Sequence, residues 1–525
     1  MTRRPERTWT YDASHYPEPL TPLSGDVWLW ALGLGMQAAA RDLRAPFGGF
    51  DTMLHGDGWA YESELEADWE PDSAALERAA LEVAERWERE LMPRSHEITE
   101  EIRRLRPERG DAEAAAVAFD RLIELVREQW HVHFLTVVPV HAARELLHDA
   151  YVELRGKRDE LEPYRLIEGL PNETLDADER LWEIAELARS LDVADVVSEL
   201  PTDAALRRLA TTHHGREVLA AVGEYQRLYG GRSRLHELSE PRAGERPELV
   251  LEGVRFFLEH PRDLPSERRA KARERAELEA EVLGEIADRG ERERFAELLE
   301  RVKAAVVLEE THTYHIDYPG LAATREALLG FGRRLVGEGR LERSDDVFML
   351  RREELRQALA TSPDEPLTGL VAERRTALER ARLTHAEPFL GPAPGTDDLP
   401  PMVAKFYGVP GTATRDGDSL RGTPASAGEA TGVARVVLGA EDFSRVHAGD
   451  VLVCATTTPA WTPLFSSIAA LVTDTGGILS HAAIVAREYG LPVVVGAEAA
   501  TRFVPDGALV SVNGASGEVR ILQRP

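Results

Sequence analysis

The sequence predicts a multidomain protein in which a mainly helical N-terminal domain precedes a C-terminal α/β domain. Three observations support this prediction. The length of 525 residues exceeds what a single hydrophobic core usually serves. From about residue 75 to residue 385, apolar side chains recur at the three- and four-residue spacing of amphipathic helices. Beyond a stretch rich in Pro and Gly, the pattern changes to short β-rich runs. We therefore place the domains at residues 1–385 and 421–525, with a hinge linker at 386–420.

The helical pattern is clearest where Leu278, Val282 and Ile286 step by four. This spacing lines one helix face with apolar groups, while Glu and Arg fill the rest. The charged faces are most simply solvated surface. A heptad-like stretch at 267–305 can pair with another helix, but packing inside its own domain is the simpler interpretation. Segments that show the same helical pattern are 75–105, 113–128 and 179–198.

The C-terminal region has the composition of a compact α/β domain of about a hundred residues. Short helical patterns separate its β-rich runs. The predicted strands are Ala434–Val437, Val451–Ala455, Ala470–Asp474, Leu491–Val495, Ala508–Val512 and Val519–Leu522.

Composition excludes several classes of function. There are 63 basic and 92 acidic side chains, which give a net charge of −29. Such a surface repels nucleic acid and anionic lipid. The single cysteine, Cys454, lies in an apolar run and predicts a buried core residue. The N-terminus shows no signal peptide, and the apolar stretch from Val27 to Ala40 is shorter than a membrane span. We expect a cytoplasmic protein.

The segment from Thr473 to Gly496, TDTGGILSHAAIVAREYGLPVVVG, is the most informative of the sequence. A buried strand ends in a Thr-Gly-Gly turn, and a helix is predicted from near Ser480 to about Tyr489, where a glycine ends it. His481 then lies in the first turn of the helix. Free backbone N–H groups and the positive end of the helix dipole favour a phosphate there.

These features predict a phosphate-carrying site at His481. A neutral imidazole nitrogen attacks phosphorus well and later leaves well. Glycines allow backbone donors to approach phosphoryl oxygens. Taken alone, one histidine after a Gly-Gly pair is more typical of a structural residue that caps a helix. The predicted phosphate-binding residues are Thr475, Gly476, Gly477, Ser480 and Arg487.

The complete 24-residue string resembles the phosphohistidine signature of the PEP-utilising superfamily, which includes phosphoenolpyruvate synthase, pyruvate phosphate dikinase and rifampicin phosphotransferase. GTPASAGEATGVARVV resembles the opening strand pair of that domain, and TTTPAWTPLF resembles its strand–turn–helix element. The resemblance covers 421–525. It implies a β/β/α swivelling domain whose histidine, here His481, is phosphorylated by an ATP-grasp domain and then swings to an acceptor. A flexible linker at 386–420 is consistent with such a movement of the domain.

No Walker A sequence is present, and the helical region does not resemble an ATP-grasp module. We also expect no pyruvate-binding barrel after the C-terminal domain. We therefore expect a separately encoded ATP-grasp subunit to bind ATP and Mg²⁺, with no cofactor held tightly by this chain. The resemblance supports this arrangement, because phenylphosphate synthase-like systems divide these parts between polypeptides. The oligomeric state stays open.

Residues 1–385 resemble, less continuously, the central region of rifampicin phosphotransferase-like proteins. The pieces that carry this resemblance are HYPEPLTPLSGDV, GGRSRLHELSEPR, and EETHTYHIDY followed by LLGFGRRLVGEGRLERSDDVFML, where a strand is predicted at Asp-Asp-Val-Phe. Where the antibiotic-modifying members are expected to have an Arg-Glu pair and then a Lys, this chain has Glu309, Glu310 and Thr313. This departure points away from rifampicin-like substrates.

Several polar side chains are candidates for binding a substrate or acting as a general base. One dense polar cluster consists of Glu310, His312, His315 and Asp317. The alternative interpretation of this cluster is a hydrated helix turn. The side chains of His131 and His133 lie on one side of their segment if it is extended, and they point apart if it is helical. The alternative to a functional role is that both are buried structural histidines. Arg232 is a candidate phosphate anchor, although surface arginine is the default. A zinc site built from His131, His133 and His141 is an alternative, but no HExxH-type spacing supports it, and no metal site is predicted.

The leading hypothesis is a phosphotransferase component in which His481 carries a phosphoryl group to a phenol or alcohol held by the helical domain. Elimination of the phosphate would then make the net reaction a dehydration. One alternative is a regulatory or scaffold protein that retains a phosphohistidine domain. Another is a self-contained enzyme that uses an external phosphate ester.

Overall fold

The fold was analysed in a computed structural model of the chain. The structure describes residues 7–13, 15–56, 58–156, 161–233, 235–361, 366–384, 386–387, 389–392, 405, 408, 412–438, 440–457, 461–465 and 467–525. Across these residues, no helix combines the length and the apolar composition that a membrane crossing requires.

The chain forms two compact units, and each is discontinuous in sequence. The first unit comprises Met1–Ala143, Leu235–Pro241 and Thr311–Ala393. The second comprises Arg144–Arg234, Arg242–Glu310 and Pro394–Pro525. These divisions do not follow the predicted domain limits of 1–385, 386–420 and 421–525, which stay predictions.

The first unit combines helices with a small antiparallel sheet. In spatial order the strands are Phe50–His55, Trp59–Glu64, Trp9–Tyr11 and Phe389–Leu390. Its helical segments are Pro22–Ser24, Gly25–Leu29, Trp30–Asp42, Ser73–Arg86, Trp87–Leu91, Met92–Arg104, the first part of Ala112–Arg155, the last part of Leu308–His312, Thr313–Asp317, Tyr318–Gly337, Ser344–Met349, Arg352–Ala360 and Thr368–Ala381.

Three of these segments are π-helical turns inserted between α-helical ones: Gly25–Leu29, Trp87–Leu91 and Thr313–Asp317. A π-turn widens the helix by one residue per hydrogen-bonded ring and is frequent at functional sites. Each therefore changes which side chains share a face of its helix.

The second unit contains a helical part and a sheet domain. Its helices are the remainder of Ala112–Arg155, then Glu162–Arg165, Glu173–Ser190, Ala194–Glu199, Thr202–Ala210, His213–Tyr229, Pro247–Glu259, Leu264–Glu285, Arg289–Val306 and the start of Leu308–His312. The heptad-like stretch is thus two helices, since Asp288 caps a new helix by accepting a hydrogen bond from the Glu291 backbone N–H.

The sheet domain is built on nine strands. Their spatial order is Thr414–Asp416, Ser419–Arg421, Glu518–Gln523, Leu509–Asn513, Glu429–Val437, Val451–Cys454, Ala470–Thr473, Val493–Val495 and Thr423–Ser426. The four strands from Glu429–Val437 to Val493–Val495 are parallel, and the outer ones are antiparallel. Short helical segments are Ala440–Arg445, Thr462–Phe465, His481–Glu488 and Ala500–Phe503.

The parallel strands are buried on both faces, which explains their continuous apolar sequence. Leu452, Leu471 and Val493 pack on one face with the apolar side of the helix His481–Glu488. Their neighbours in the strands, such as Val472, pack on the other face. This packing fixes the strand end at Thr473 and the helix start that follows it.

The structure confirms the predicted fold class, a mainly helical N-terminal region followed by an α/β domain. The predicted strand at Asp-Asp-Val-Phe is wrong, because Ser344–Met349 is a 3₁₀ helix. The Asp346 carboxylate accepts a hydrogen bond from the Arg343 backbone N–H at 2.9 Å, and this cap favours a helical turn over a strand.

Two further predictions are refined. Thr423–Ser426 and Glu429–Val437 are both strands, as the resemblance implied, yet the two do not pair with each other: the first pairs with Val493–Val495, and the second with Leu509–Asn513 and Val451–Cys454. Much of the predicted linker lies outside the described residues. Two of its described segments, Phe389–Leu390 and Thr414–Asp416, are strands of the two sheets.

Candidate functional site

His481 begins a helix behind a glycine-containing turn, as predicted. Ser480 is the N-cap residue, and its side chain accepts a hydrogen bond from the Ala483 backbone N–H at 3.4 Å. Gly476 has φ +102°, a conformation that favours glycine, and a Cβ there would lie 2.9 Å from the Ser480 hydroxyl oxygen. The Thr475 hydroxyl donates to the Ala455 carbonyl at 3.1 Å, which ties the turn to the neighbouring strand end.

The imidazole of His481 faces a carboxylate of the same unit. Its Nδ1 lies 3.6 Å from Oε1 of Glu310, a distance at which charge attracts but no direct hydrogen bond forms. The second carboxylate oxygen of Glu310 accepts a hydrogen bond from the Thr174 hydroxyl at 2.5 Å. The His481 side chain is 20% exposed. Its Nε2 is covered and has no hydrogen-bond partner among the described residues.

Arg487 makes contacts inside the protein. Its guanidinium donates to the carbonyls of Ala425 and Ile478 at 2.9 and 2.8 Å, and it lies 3.7 Å from a carboxylate oxygen of Glu168. Burial lowers its pKa, and Glu168 opposes that shift. The side chain thus holds the turn before His481 against a strand. Its role as a phosphate ligand stays a prediction that these contacts do not favour.

The C-terminal end of the same helix meets the helical part of the unit. Glu488 accepts a hydrogen bond from the Gly169 backbone N–H at 2.7 Å. The Tyr489 hydroxyl donates to Asp178 at 3.3 Å, and the other oxygen of Asp178 accepts from Arg232 at 3.0 Å. The candidate anchor Arg232 is therefore buried in an ion pair, as part of this contact and away from the surface.

A cavity of about 40 Å³ lies beside this helix, with Ile484, Arg487, Glu168, Glu310 and Arg144 among its lining residues. This volume is well below the roughly 300–1,000 Å³ of pockets that hold drug-sized ligands. In the observed arrangement, the cavity is therefore too small for a ligand of that size.

The remaining candidate residues lie in the first unit and separate into three groups. His133 and His312 both approach Asp317: His133 Nδ1 is 2.7 Å from one carboxylate oxygen, and His312 Nε2 is 3.4 Å from the other. His315 instead faces His96 across 3.1 Å, and His131 faces Asp42 across 2.9 Å.

Local helix geometry explains this separation. His131 and His133 lie on the helix Ala112–Arg155, where residues two apart point about 200° apart. His312 and Asp317 are five apart, which would place them about 140° apart on an α-helix. The π-turn Thr313–Asp317 brings them to one side.

Electrostatics leave Asp317 charged. Burial raises the pKa of this carboxyl, but His133 and His312 outweigh burial and hold it well below its usual range. Burial lowers the pKa of His133, which Asp317 only partly offsets.

Sequence reasoning missed Thr174, Glu168, Glu488 and Tyr489. Thr174 contacts Glu310, Glu168 lies beside Arg487, and Glu488 and Tyr489 are at the C-terminal end of the helix that His481 begins. Asn172 caps the helix that contains Thr174, a signal visible in the sequence, but nothing in the sequence places that helix beside Glu310.

With this geometry, the sheet domain places a histidine at a helix start behind a glycine-containing turn. Residues 446–517 match the family described as PEP-utilising enzyme, mobile domain. Residues 133–310 match the rifampicin phosphotransferase fourth domain. The predicted resemblance to the PEP-utilising superfamily is thereby confirmed.

Curated relatives agree with these matches. An uncharacterized phosphotransferase of Bacillus subtilis is 31% identical over 79% of this chain and 50% of its own length. Rifampicin phosphotransferase of Streptomyces sviceus is 32% identical over 63% of this chain and 39% of its own. Chondramide synthase of Chondromyces crocatus is 31% identical over 98% of this chain and 14% of its own. The chain thus spans half or less of the length of each of these three relatives.

Proposed function

We propose that this chain is a phosphotransferase component that carries a phosphoryl group on His481 to a small organic hydroxyl compound. The observation that carries the proposal is the position of His481. It begins a helix after a glycine-containing turn, inside the region that matches the mobile domain, with Nδ1 facing the Glu310 carboxylate. Relatives named as phosphotransferases support the same class of reaction.

Glu310 would act as a positioning residue for this chemistry. A carboxylate beside Nδ1 favours the tautomer with the proton on Nδ1, which leaves the lone pair of Nε2 as the nucleophile. In the loading step, Nε2 attacks phosphorus, an N–P bond forms, and the P–O bond to the departing phosphate of ATP breaks. The imidazolium charge that develops faces Glu310.

In the transfer step, the acceptor oxygen attacks phosphorus and the N–P bond breaks, so His481 returns to its neutral form. The acceptor proton passes to a general base. The proposed candidates for this base are Glu310 and the group formed by His133, His312 and Asp317. Weaker candidates are His131 and His315, because they face Asp42 and His96. A phenol or an alcohol is the proposed acceptor. Elimination of the new phosphate ester would give a net dehydration.

The proposed donor is an ATP-grasp protein on a separate polypeptide, which makes this chain one subunit of a multichain enzyme. The resemblance to split phenylphosphate synthase-like systems supports this arrangement. ATP would supply the phosphoryl group, and Mg²⁺ on the same partner would neutralise its charge.

Loading requires movement of the helix His481–Glu488. Nε2 is covered in the observed arrangement, and the adjacent cavity holds only about 40 Å³. A phosphoryl group must reach Nε2, so the helix must shift far enough to uncover this atom while Nδ1 still faces Glu310. The hinge motion implied by the family resemblance supplies such a displacement.

The test is phosphorylation of the full chain by an ATP-grasp protein with radiolabelled ATP, analysed for acid-labile, base-stable label. His481→Ala is compared with His447→Ala, which removes an exposed histidine of the same domain. We expect label on the wild type and on His447→Ala but none on His481→Ala. Equal labelling of all three proteins, or no label on the wild type, contradicts the proposal.

A second measurement avoids dependence on a partner. Phosphoramidate, a small phosphoryl donor, is incubated with each protein, and ³¹P NMR distinguishes the two phosphohistidine isomers. We expect the Nε2 isomer at His481. The Nδ1 isomer would contradict the role given to Glu310.

A further inference from the structure

A second site lies in the first unit, where His133, His312 and Asp317 form what we call the buried histidine–aspartate cluster. Each of the three side chains offers one ligand atom, and these atoms lie within 4.8 Å of one another. His133 Nδ1 is 2.7 Å and His312 Nε2 is 3.4 Å from the carboxylate oxygens of Asp317. The two imidazole rings meet edge to face at 4.7 Å.

Rigid elements hold the cluster. His133 lies within the long helix Ala112–Arg155, and its ring packs against the Trp130 ring at 4.7 Å. His312 directly precedes the π-turn Thr313–Asp317, and Asp317 is the last residue of that turn. The exposed fractions of the three residues are 9%, 6% and 6%. Side chains fixed in this way lose little conformational entropy when they bind a ligand.

The donor set fits a transition metal. Two imidazole nitrogens and one carboxylate oxygen are the ligands that Zn²⁺ takes in three-ligand sites and that Fe²⁺ takes in its facial triads. An ion placed between atoms no more than 4.8 Å apart lies close to coordination distance from each, since Zn–N and Zn–O bonds are about 2.0–2.2 Å. Small side-chain rotations complete the approach.

We propose that the buried histidine–aspartate cluster binds one divalent transition-metal ion of the Zn²⁺ class. Metal–ligand bonds would replace the direct His133–Asp317 hydrogen bond. Three protein ligands leave a coordination position for water or for a hydroxyl group. This inference concerns the first unit alone and does not depend on phosphorylation of His481. The sequence predicted no metal site, because residues 133, 312 and 317 have no recognisable ligand spacing.

A metal-free hydrogen-bonded triad is the competing interpretation. In that case, Asp317 would only accept hydrogen bonds from two neutral or charged imidazoles. The two interpretations differ in a measurable way, since only a metal site binds one equivalent of Co²⁺ or Zn²⁺ that is lost when a cluster residue is replaced.

The experiment is titration of the chelator-treated full chain with Co²⁺, followed by visible ligand-field absorption, and with Zn²⁺, followed by calorimetry. The variants are Asp317→Asn and His312→Gln, which keep side-chain size. The matched control is His131→Gln, which removes a histidine of the same helix that faces Asp42. Thermal unfolding with and without Zn²⁺ reports on folding and on binding.

We expect the wild type and His131→Gln to bind one equivalent of metal and to unfold at a higher temperature in its presence. Each cluster variant should bind at least about 10–100-fold more weakly and lose that thermal shift. Wild-type binding below one equivalent overturns the proposal even if the cluster variants fail to fold. Unchanged affinity in either folded cluster variant overturns it as well.

Discussion

Glu488, at the end of the helix His481–Glu488, contacts the helical part of its unit. The pH dependence of the free energy of unfolding tests this contact. Burial and the neighbouring Glu168 raise the pKa of this carboxyl from 4.5 to about 7. The Gly169 backbone N–H, which donates to the carboxylate at 2.7 Å, opposes the shift only in part. We expect Glu488→Gln to remove this titration and keep an acceptor for Gly169.

The sign follows from proton binding. Between pH 4.5 and 7, the folded protein holds the Glu488 proton more tightly than the unfolded chain does. The free energy of unfolding therefore falls as pH rises through this window and levels off above it. A pKa difference of about 2.5, at about 1.4 kcal/mol for each pKa unit, gives an upper bound of about 3.5 kcal/mol. Since the side chain is only partly buried by surface area, about 1–3 kcal/mol is the expected range.

The assay is urea unfolding at pH 5, 6, 7 and 8, with hydrogen exchange of the sheet domain as a second probe, because multidomain chains need not unfold in one step. Glu488→Gln should match the wild type near pH 5 and exceed it by about 1–3 kcal/mol at pH 8. The control is Glu429→Gln at an exposed strand position of the same domain. A stability difference between Glu488→Gln and wild type that is the same at pH 5 and pH 8 would refute the reasoning.

Three further predictions concern the surroundings of His481. Gly476→Ala places a Cβ at φ +102° and 2.9 Å from the Ser480 hydroxyl oxygen. Thermal unfolding should therefore show a loss of about 1–3 kcal/mol in the free energy of unfolding. The control Gly284→Ala, which has open space around its Cβ, should show no loss. Ser480→Ala removes the helix N-cap and should cost about 1 kcal/mol in the same measurement; an unchanged midpoint would contradict the capping role. Glu310→Gln should slow phosphorylation of His481 roughly 10–100-fold and alter its pH profile, with partial recovery in Glu310→Asp; an unaltered rate and profile would contradict a positioning role.

Much of the sheet domain could be predicted because its signals are local. Apolar runs bounded by turn residues gave strands within one or two residues of most observed ends, and the helix predicted from near Ser480 to about Tyr489 is His481–Glu488. The strand predicted at Asp-Asp-Val-Phe failed because a side-chain cap outweighs the β-propensity of Val347 and Phe348. Such capping depends on the rotamer of Asp346, which composition does not reveal.

Chain order also concealed the grouping of candidate residues. The sequence presents Glu310, His312, His315 and Asp317 as one cluster, yet Glu310 faces His481, His315 faces His96, and His312 and Asp317 meet His133. A π-turn cannot be recognised from side-chain periodicity over five residues, so the pairing of His312 with Asp317 was not predictable.

The sequence by itself determined the fold class and the position of His481 at a helix start behind a glycine-containing turn. Both follow from backbone preferences and apolar periodicity, which act over a few residues. Tertiary structure alone decided that Glu310 lies beside that imidazole and accepts a hydrogen bond from Thr174. It also decided that Arg487 and Arg232 form hydrogen bonds inside the protein. Finally, it brought three side chains together in the buried histidine–aspartate cluster. These contacts join residues up to about 180 positions apart, and only the packing of whole helices brings them together.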